Sequence, residues 1–296
     1  MEKIIDLHIH TTCSDGALSP KQVVDEAIKN GVDTIAIADH DTTAAYTEDL
    51  FNYAKEKGIN LIPAVEISTK INKCGIHVLG YNFDLQNKEL LNQLSLLRNA
   101  RHDYLYNVSA KIKELGYKID VESLDKIDAV TKAHIALDIV NNSENEELLI
   151  KTFGHIPDKG EFIETIMNEN CPAYVKKATI TPSEASKLIK KAGGKVVLAH
   201  PVAYKYEDNL TLDDIEKLIQ DMQPLGIEGN YIYHDRNNKK INEVEFWNKF
   251  AQDHNLLSTI GSDFHKEDGI HTLIGLIGEE LPTIDSQKIL DTLKNS

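Results

Sequence analysis

Six histidines and three carboxylates recur near the ends of short apolar runs: His8, His10, Asp15, His40, Glu66, His77, His200, Asp263 and His265. Imidazole and carboxylate ligands without cysteine suit Mn²⁺, Fe²⁺, Zn²⁺ or Mg²⁺, and neither copper nor an iron–sulfur cluster. Such a set exceeds the needs of one ion. At roughly three to four protein ligands per open site, it supplies two to three divalent ions with one carboxylate shared between a pair, and Glu66 is the natural bridge. Ions held a few ångströms apart lower the pKa of a shared water and clamp phosphoryl oxygens during in-line displacement. The chemistry expected is therefore phosphoester hydrolysis by a metal-bridged hydroxide.

The elements that must position these side chains are legible in the pattern. Ile5, Leu7 and Ile9 alternate with Asp6, His8 and His10, so a strand is expected with both imidazoles on one face, about 6.5–7 Å apart. Further strands are expected at Thr34 to His40, Asn60 to Ile67, Ile76 to Leu79, Lys195 to His200, Leu225 to Tyr233 and Leu257 to Ile260, with strand character resuming at Tyr174-Val175. Ser19-Pro20 and Thr181-Pro182 read as helix starts, a capping residue followed by proline in the first turn, and Glu243 to His254 reads as another helix. Between about 84 and 170 helices replace the alternation, beginning with a leucine stripe from Lys88 to Leu115. The division expected is a strand-and-helix barrel of residues 1–83 and 171–296, interrupted by a helical cap of residues 84–170. No internal repeat or low-complexity linker separates them.

Composition narrows the function classes. With 41% hydrophobic and 27% charged residues, the chain reads as globular. A net charge of −15 disfavours long duplex nucleic acid and anionic membrane as partners, although bound divalent cations reverse the sign locally. Cys13, Cys74 and Cys171 are odd in number and form no CxxC pair. They are expected to be free thiols in a reducing compartment. No run approaches the 18 or so apolar residues of a membrane span, and the stretch MEKIIDLHIH has no long apolar run behind a basic start, as a secretory leader would. A cytoplasmic location is expected.

Particular blocks resemble the PHP family, named for polymerase and histidinol phosphatase. They are Asp6 to Gly16 (DLHIHTTCSDG), Ala38-Asp39-His40-Asp41-Thr42, Pro63 to Ser68 (PAVEIS), His77, Leu198-Ala199-His200-Pro201 and Gly261-Ser262-Asp263-Phe264-His265. Their order and spacing cover essentially the whole chain, as in the stand-alone bacterial members. The resemblance implies an α/β fold, a distorted (β/α)7 TIM-like barrel with the metals at the C-terminal ends of its strands. It implies that His8, His10, Glu66 and Asp263 hold one ion, Glu66 with His77 and His200 a second, and Asp15, His40 and His265 a third. Mn²⁺ is the leading choice. In the insertion, Arg98 and Arg101 resemble phosphate-facing arginines. Thr131-Lys132-Ala133-His134 resembles a Thr-Arg-x-His block in which Lys132 keeps the charge but not the bidentate fork. His234, within Tyr231 to Arg236, stands where the family places substrate contacts and is read as a proton donor or phosphate contact. Asp39 is read as a supporting catalytic carboxylate that, with Asp41, orients the ligands. His102, His155, His254 and His271 are expected at the surface.

Three functions follow as expectations. The leading one is hydrolysis of a phosphomonoester in a small nucleotide, of the nucleoside 3′,5′-bisphosphate type, or trimming of short oligonucleotides from the 5′ end. The second is histidinol-phosphate phosphatase, which uses the same metal chemistry on a smaller substrate. The third is a noncatalytic metal-bound scaffold, against which the retention of every ligand argues.

Overall fold

The computed structural model describes residues 4–72, 74–127, 130–176, 178–235, 237–276, 281 and 284–295. The chain divides into two compact units, Met1–Ser95 with Ile180–Ser296, and Leu96–Thr179.

In the first unit, seven strands form one mixed, nearly closed barrel sheet. They are β1 (Ile5–Ile9), β2 (Thr34–Ile37), β3 (Asn60–Ile71), β4 (Cys74–Tyr81), β5 (Lys195–Leu198), β6 (Gly226–Asn230) and, after a small hairpin of β7 (Tyr233–His234) and β8 (Lys240–Ile241), β9 (Leu257–Ile260). The order is β1-β2-β3-β4-β5-β6-β9. Pairing is parallel throughout except where β4 runs against both β3 and β5. The circuit closes beyond the strand ends, where Ile9 bridges Phe264 and the His10 N–H donates to the Phe264 carbonyl at 2.9 Å.

Ile5, Leu7, Ala36, Ala38, Ala64, Leu79 and Val197 share the barrel interior. Ile9, Ile35 and Ile37 instead pack on the helices outside, α1 (Pro20–Lys29) and α2 (Glu48–Glu56). Strict alternation expected Ile9 on the face of Ile5 and Leu7. A register irregularity between Asp6 and Ile9 changes the phase, as a bulge does when it re-aims a side chain. Both α1 and a later helix, α8 (Pro182–Lys191), start at the expected Ser19 and Thr181, and the structure closes each start with a capping box.

Pro63 stands opposite Ile37 in the β2–β3 pairing. The Tyr46 hydroxyl lies between them, 3.0 Å from Ile37 N, 2.8 Å from Ala64 N and 2.7 Å from both the Ile37 and Ile62 carbonyl oxygens. These are the four groups that the parallel ladder joins pairwise at Ile37 and Pro63.

The second unit has its own core, in which Leu105, Val108 and Ile112 pack with Ile135, Ile139, Leu149 and Phe162. Its helices are the greater part of α3 (Lys88–Glu114), α4 (Val121–Leu124), α5 (Lys132–Asn141), α6 (Glu146–Phe153) and α7 (Lys159–Phe162). The helix expected at Lys159 to Met167 changes to a π turn at Ile163–Met167. Tyr174 and Val175, expected as strand, are irregular. Among the described residues no helix is long and apolar enough to cross a membrane, and the three cysteines are free thiols.

Candidate metal centre

Strand ends and one hairpin register bring the histidines and carboxylates together. His8 and His10 lie on and just after β1, both fully buried. His40 follows β2 and bridges Glu66 of β3. The β3–β4 register sets Ser68 opposite His77 and Glu66 opposite Leu79, which makes Glu66 and His77 diagonal neighbours on one face. Asp15 is returned by the turn from Thr11 to Gly16, whose Gly16 N–H donates to the Thr11 carbonyl. A side chain at Gly16 would collide with the backbone of His10. His200 follows β5 with φ of 21°, and Asp263 follows β9 with φ of 53°. Left-handed backbone at non-glycine residues costs of the order of 1–3 kcal/mol each and concentrates at functional sites.

Three clusters result, each with ligand atoms within 4.8 Å of one another: His8, His10, Glu66 and Asp263; His10, Asp15, His40 and His265; and His40, Glu66 and His77. In the first, His8 Nε2 is 3.1 Å from His10 Nε2, and both lie 3.1–3.4 Å from Glu66 Oε2 and Asp263 Oδ1. The other Glu66 oxygen, Oε1, is 3.0 Å from His77 Nδ1 and 3.2 Å from His200 Nε2. Asp15 lies 3.4 Å from His265 Nε2, 3.6 Å from His10 Nδ1 and 3.7 Å from His40 Nε2. His40 reaches both ways, since its Nδ1 is 3.0 Å from Glu66 Oε2. It thereby adjoins Glu66 as well as the Asp15–His265 group in which it was expected.

The donor set fits divalent metal. Two nitrogens each about 2.1 Å from one ion and at right angles to each other lie about 3.0 Å apart, the separation seen between His8 and His10. Glu66 Oε2, His40 Nδ1, His10 Nδ1 and His200 Nδ1 are buried without a directed hydrogen bond, although Glu66 Oε2 and His40 Nδ1 are close enough for one. Their lone pairs do not address each other, as expected of atoms that share an ion.

Electrostatics support the same conclusion. Burial alone would push Glu66 and Asp263 up, but the imidazoles around them hold both carboxyls well below the usual range. Burial pulls His8 and His10 down. The carboxylates overcome that pull, raising His8 well above its ordinary value and His10 to about 10. His40 is driven well below its ordinary value, by burial first. A site so rich in negative charge favours cations, protons or metal.

Of the two residues expected to be catalytic, Asp39 is placed away from the ligand atoms. Its buried carboxylate accepts from Thr11 N and Oγ1, both at 2.7 Å, and from Ser14 Oγ at 2.6 Å. It shapes the loop that carries Asp15. The Asp41 carboxylate accepts from Ser68 N at 2.8 Å, fastening the turn after His40 to β3.

His234, on β7, lines a cavity of about 290 Å³ beside Asp263 and His265. Its ring meets that of His271 edge-on at 5.4 Å. His271, expected simply at the surface, is half exposed yet forms part of this wall, its Nδ1 2.7 Å from Asp268 Oδ2. Arg236 lies outside the described residues.

In the second unit Arg98 is half-buried and Arg101 is buried on α3. Lys132 Nζ donates to Asn168 Oδ1 at 2.9 Å. His134 closes a capping box with Thr131, its Nδ1 accepting the Thr131 N–H at 3.1 Å.

Sequence reasoning missed Glu228 and Tyr204, and it named Tyr231 only as the start of the segment around His234, without its bond to Asp263. Glu228 on β6 lies 3.0 Å from His8 Nδ1. The Tyr204 hydroxyl accepts the His77 N–H at 2.9 Å, and that of Tyr231 donates to Asp263 Oδ2 at 3.3 Å. A lone charge inside the apolar run Leu225 to Tyr233 was the available signal for Glu228.

The fold and this ligand set have counterparts. The PHP domain model matches residues 6–232. The chain belongs to the PHP family, and it is a phosphoester hydrolase of that family. It is 31% identical to a 5′-3′ exoribonuclease of Haemophilus influenzae over 288 residues, 97% of each chain. It is 28% identical to a 3′,5′-nucleoside bisphosphate phosphatase of Chromobacterium violaceum, over 88% of this chain and 87% of that one. The fold superposes on a Bifidobacterium adolescentis protein with TM-score 0.72 at 23% identity, covering 98% and 96% of the two chains. A Chromobacterium violaceum amidohydrolase structure with bound sulfate gives 0.68 at 25% identity, covering 90% and 89%.

Proposed function

We propose that the protein removes phosphate from small nucleotides of the nucleoside 3′,5′-bisphosphate type, or trims short oligonucleotides from their 5′ ends, with two to three divalent ions held by the nine clustered ligands. The observation that carries this reading is Glu66, 1% exposed, with an oxygen within 3.4 Å of each of five imidazoles. A carboxylate shared between cations accounts for that density of ligands. When bound, such ions supply Lewis acidity and an activated water at neutral pH.

The residues of the chain do the rest. His8, His10, Glu66 and Asp263 hold one ion, Glu66, His77 and His200 a second, and Asp15, His40 and His265 a third. Asp39 acts through the Thr11–Asp15 turn, and Tyr231 holds Asp263 in place. His234, in the cavity wall beside Asp263 and His265, delivers a proton to the leaving oxygen or binds a phosphoryl oxygen. Arg98, Arg101, Lys132 and His134 bind the remaining anionic part of the substrate. The names of the curated relatives favour nucleotide substrates, and the free thiols suit a cytoplasmic enzyme.

The test is phosphate release by the Mn²⁺-loaded protein from adenosine 3′,5′-bisphosphate, 5′-phosphorylated tetranucleotides and histidinol phosphate. Turnover of either nucleotide class is expected to exceed that of histidinol phosphate. Release from none of the three overturns the proposal, and preference for histidinol phosphate replaces it with the biosynthetic phosphatase.

A further inference from the structure

Glu228 is a charged residue in the middle of a fully buried strand. Its side chain is 0% exposed, and among the described residues its ion-pair partner is His8. An isolated carboxylate in such a place costs several kcal/mol, so the contacts it makes must matter. One oxygen lies 3.0 Å and the other 3.2 Å from His8 Nδ1. The second also accepts the backbone N–H of His200 at 3.0 Å. Room for this arrangement comes from Gly261, where a methyl group would collide with Glu228 Oε1 and with His8 Cβ. Four strands, β1, β5, β6 and β9, thus converge on one carboxylate.

We infer that Glu228 is a positioning residue for the metal centre: it fixes the proton of His8 on Nδ1, so that Nε2 faces the ions, and holds the backbone from which His200 reaches Glu66. This rests on the metal reading above. A carboxylate only accepts hydrogen bonds, so the ring nitrogen facing it must carry hydrogen. The other nitrogen, 3.1 Å from His10 Nε2 and 3.4 Å from Asp263 Oδ1, then presents its lone pair. Partners that orient a ligating imidazole typically change metal affinity by about 10–100-fold when lost.

Glutamine separates this role from space-filling, because it has the same shape but only one accepting oxygen. If that oxygen keeps the His200 N–H, the amide NH₂ faces His8 Nδ1 and drives the proton to Nε2. If it faces His8, the NH₂ opposes the His200 N–H.

The experiment uses the full chain, stripped of metal and titrated with MnCl₂ by calorimetry. In parallel, nitrogen NMR of the protein reloaded with diamagnetic Zn²⁺ reads which His8 ring nitrogen carries hydrogen. E228Q is expected to bind Mn²⁺ about 10–100-fold more weakly, with its circular dichroism retained and the His8 tautomer altered. Mn²⁺ binding and His8 signals identical to wild type overturn the inference. E228D keeps the charge one methylene short and covers the case of an unfolded E228Q: binding weaker than wild type supports the role, and wild-type binding refutes it. A wild-type protein that binds no Mn²⁺ sinks the metal reading itself, a different failure.

Discussion

Replacing Tyr46 with phenylalanine removes one oxygen atom, yet that oxygen lies against two rungs of the β2–β3 ladder. A hydroxyl has one proton and two lone pairs. It can accept from both Ile37 N, at 3.0 Å, and Ala64 N, at 2.8 Å, while donating to one of the carbonyl oxygens of Ile37 and Ile62 at 2.7 Å. The variant takes the hydroxyl acceptor away from two backbone N–H groups between the strands. Each costs about 1–3 kcal/mol, so the loss is about 2–6 kcal/mol unless the strands close together. At about 2–4 °C per kcal/mol for a unit of this size, a loss of about 3 kcal/mol lowers Tm by about 6–12 °C. Beyond the rung stand His40 and Glu66, so weaker Mn²⁺ binding should accompany the instability. Urea unfolding followed by circular dichroism, with and without Mn²⁺, measures both. A loss below about 0.5 kcal/mol would refute the reasoning, because the hydroxyl would then not be an element of the sheet.

Three further outcomes are expected. His10→Ala or Asp263→Ala should lower phosphate release at least about 100-fold while circular dichroism reports a folded chain; unchanged turnover would remove these residues from the centre. Mn²⁺ at 100 times its dissociation constant should stabilise the metal-stripped protein by about 2.7 kcal/mol, read as a rise in Tm that EDTA reverses, and an absent shift contradicts a metal centre. In the helical unit, buried Asn145 accepts from Lys118 N at 2.7 Å and donates to the Lys118 and Ile139 carbonyls at 2.8 and 2.9 Å. Asn145→Ala should therefore destabilise the protein by about 2–3 kcal/mol in urea unfolding, and a change under about 0.5 kcal/mol means that water replaces the amide.

The nine clustered histidines and carboxylates were legible because few side-chain types bind hard or borderline ions, and because most of them stand at or near the end of an apolar run that reads as a strand. The barrel was legible for the same reason. What sequence could not reveal depends on register. Ile9 left the face of Ile5 and Leu7 through an irregularity that alternation does not signal. Tyr46 reads as an ordinary loop tyrosine until Pro63 is seen opposite Ile37. Helices at Pro201–Glu207 and Leu212–Met222 were overlooked, although Thr211 and Asp214 carried a capping box that was readable in advance. In the helical unit, the roles of Arg98, Arg101, Lys132 and His134 were expected from resemblance alone, since charge on a helix does not by itself announce a ligand.

Closure of the barrel by its first and last ligand-bearing segments also has a kinetic consequence. The Ser262 N–H bonds the Asp6 carboxylate at 3.0 Å across 256 positions of sequence, and the Asp263 N–H bonds the His8 carbonyl at 2.8 Å. Contacts of such long range form slowly, because loop-closure entropy is lost before they reward it. A chain emerging from the ribosome carries His8, His10 and Glu66 long before Asp263 and His265 arrive. Assembly of the nine-residue cluster must therefore be among the last events of folding, because the chain is nearly complete before Asp263 and His265 can join the residues of β1 and β3.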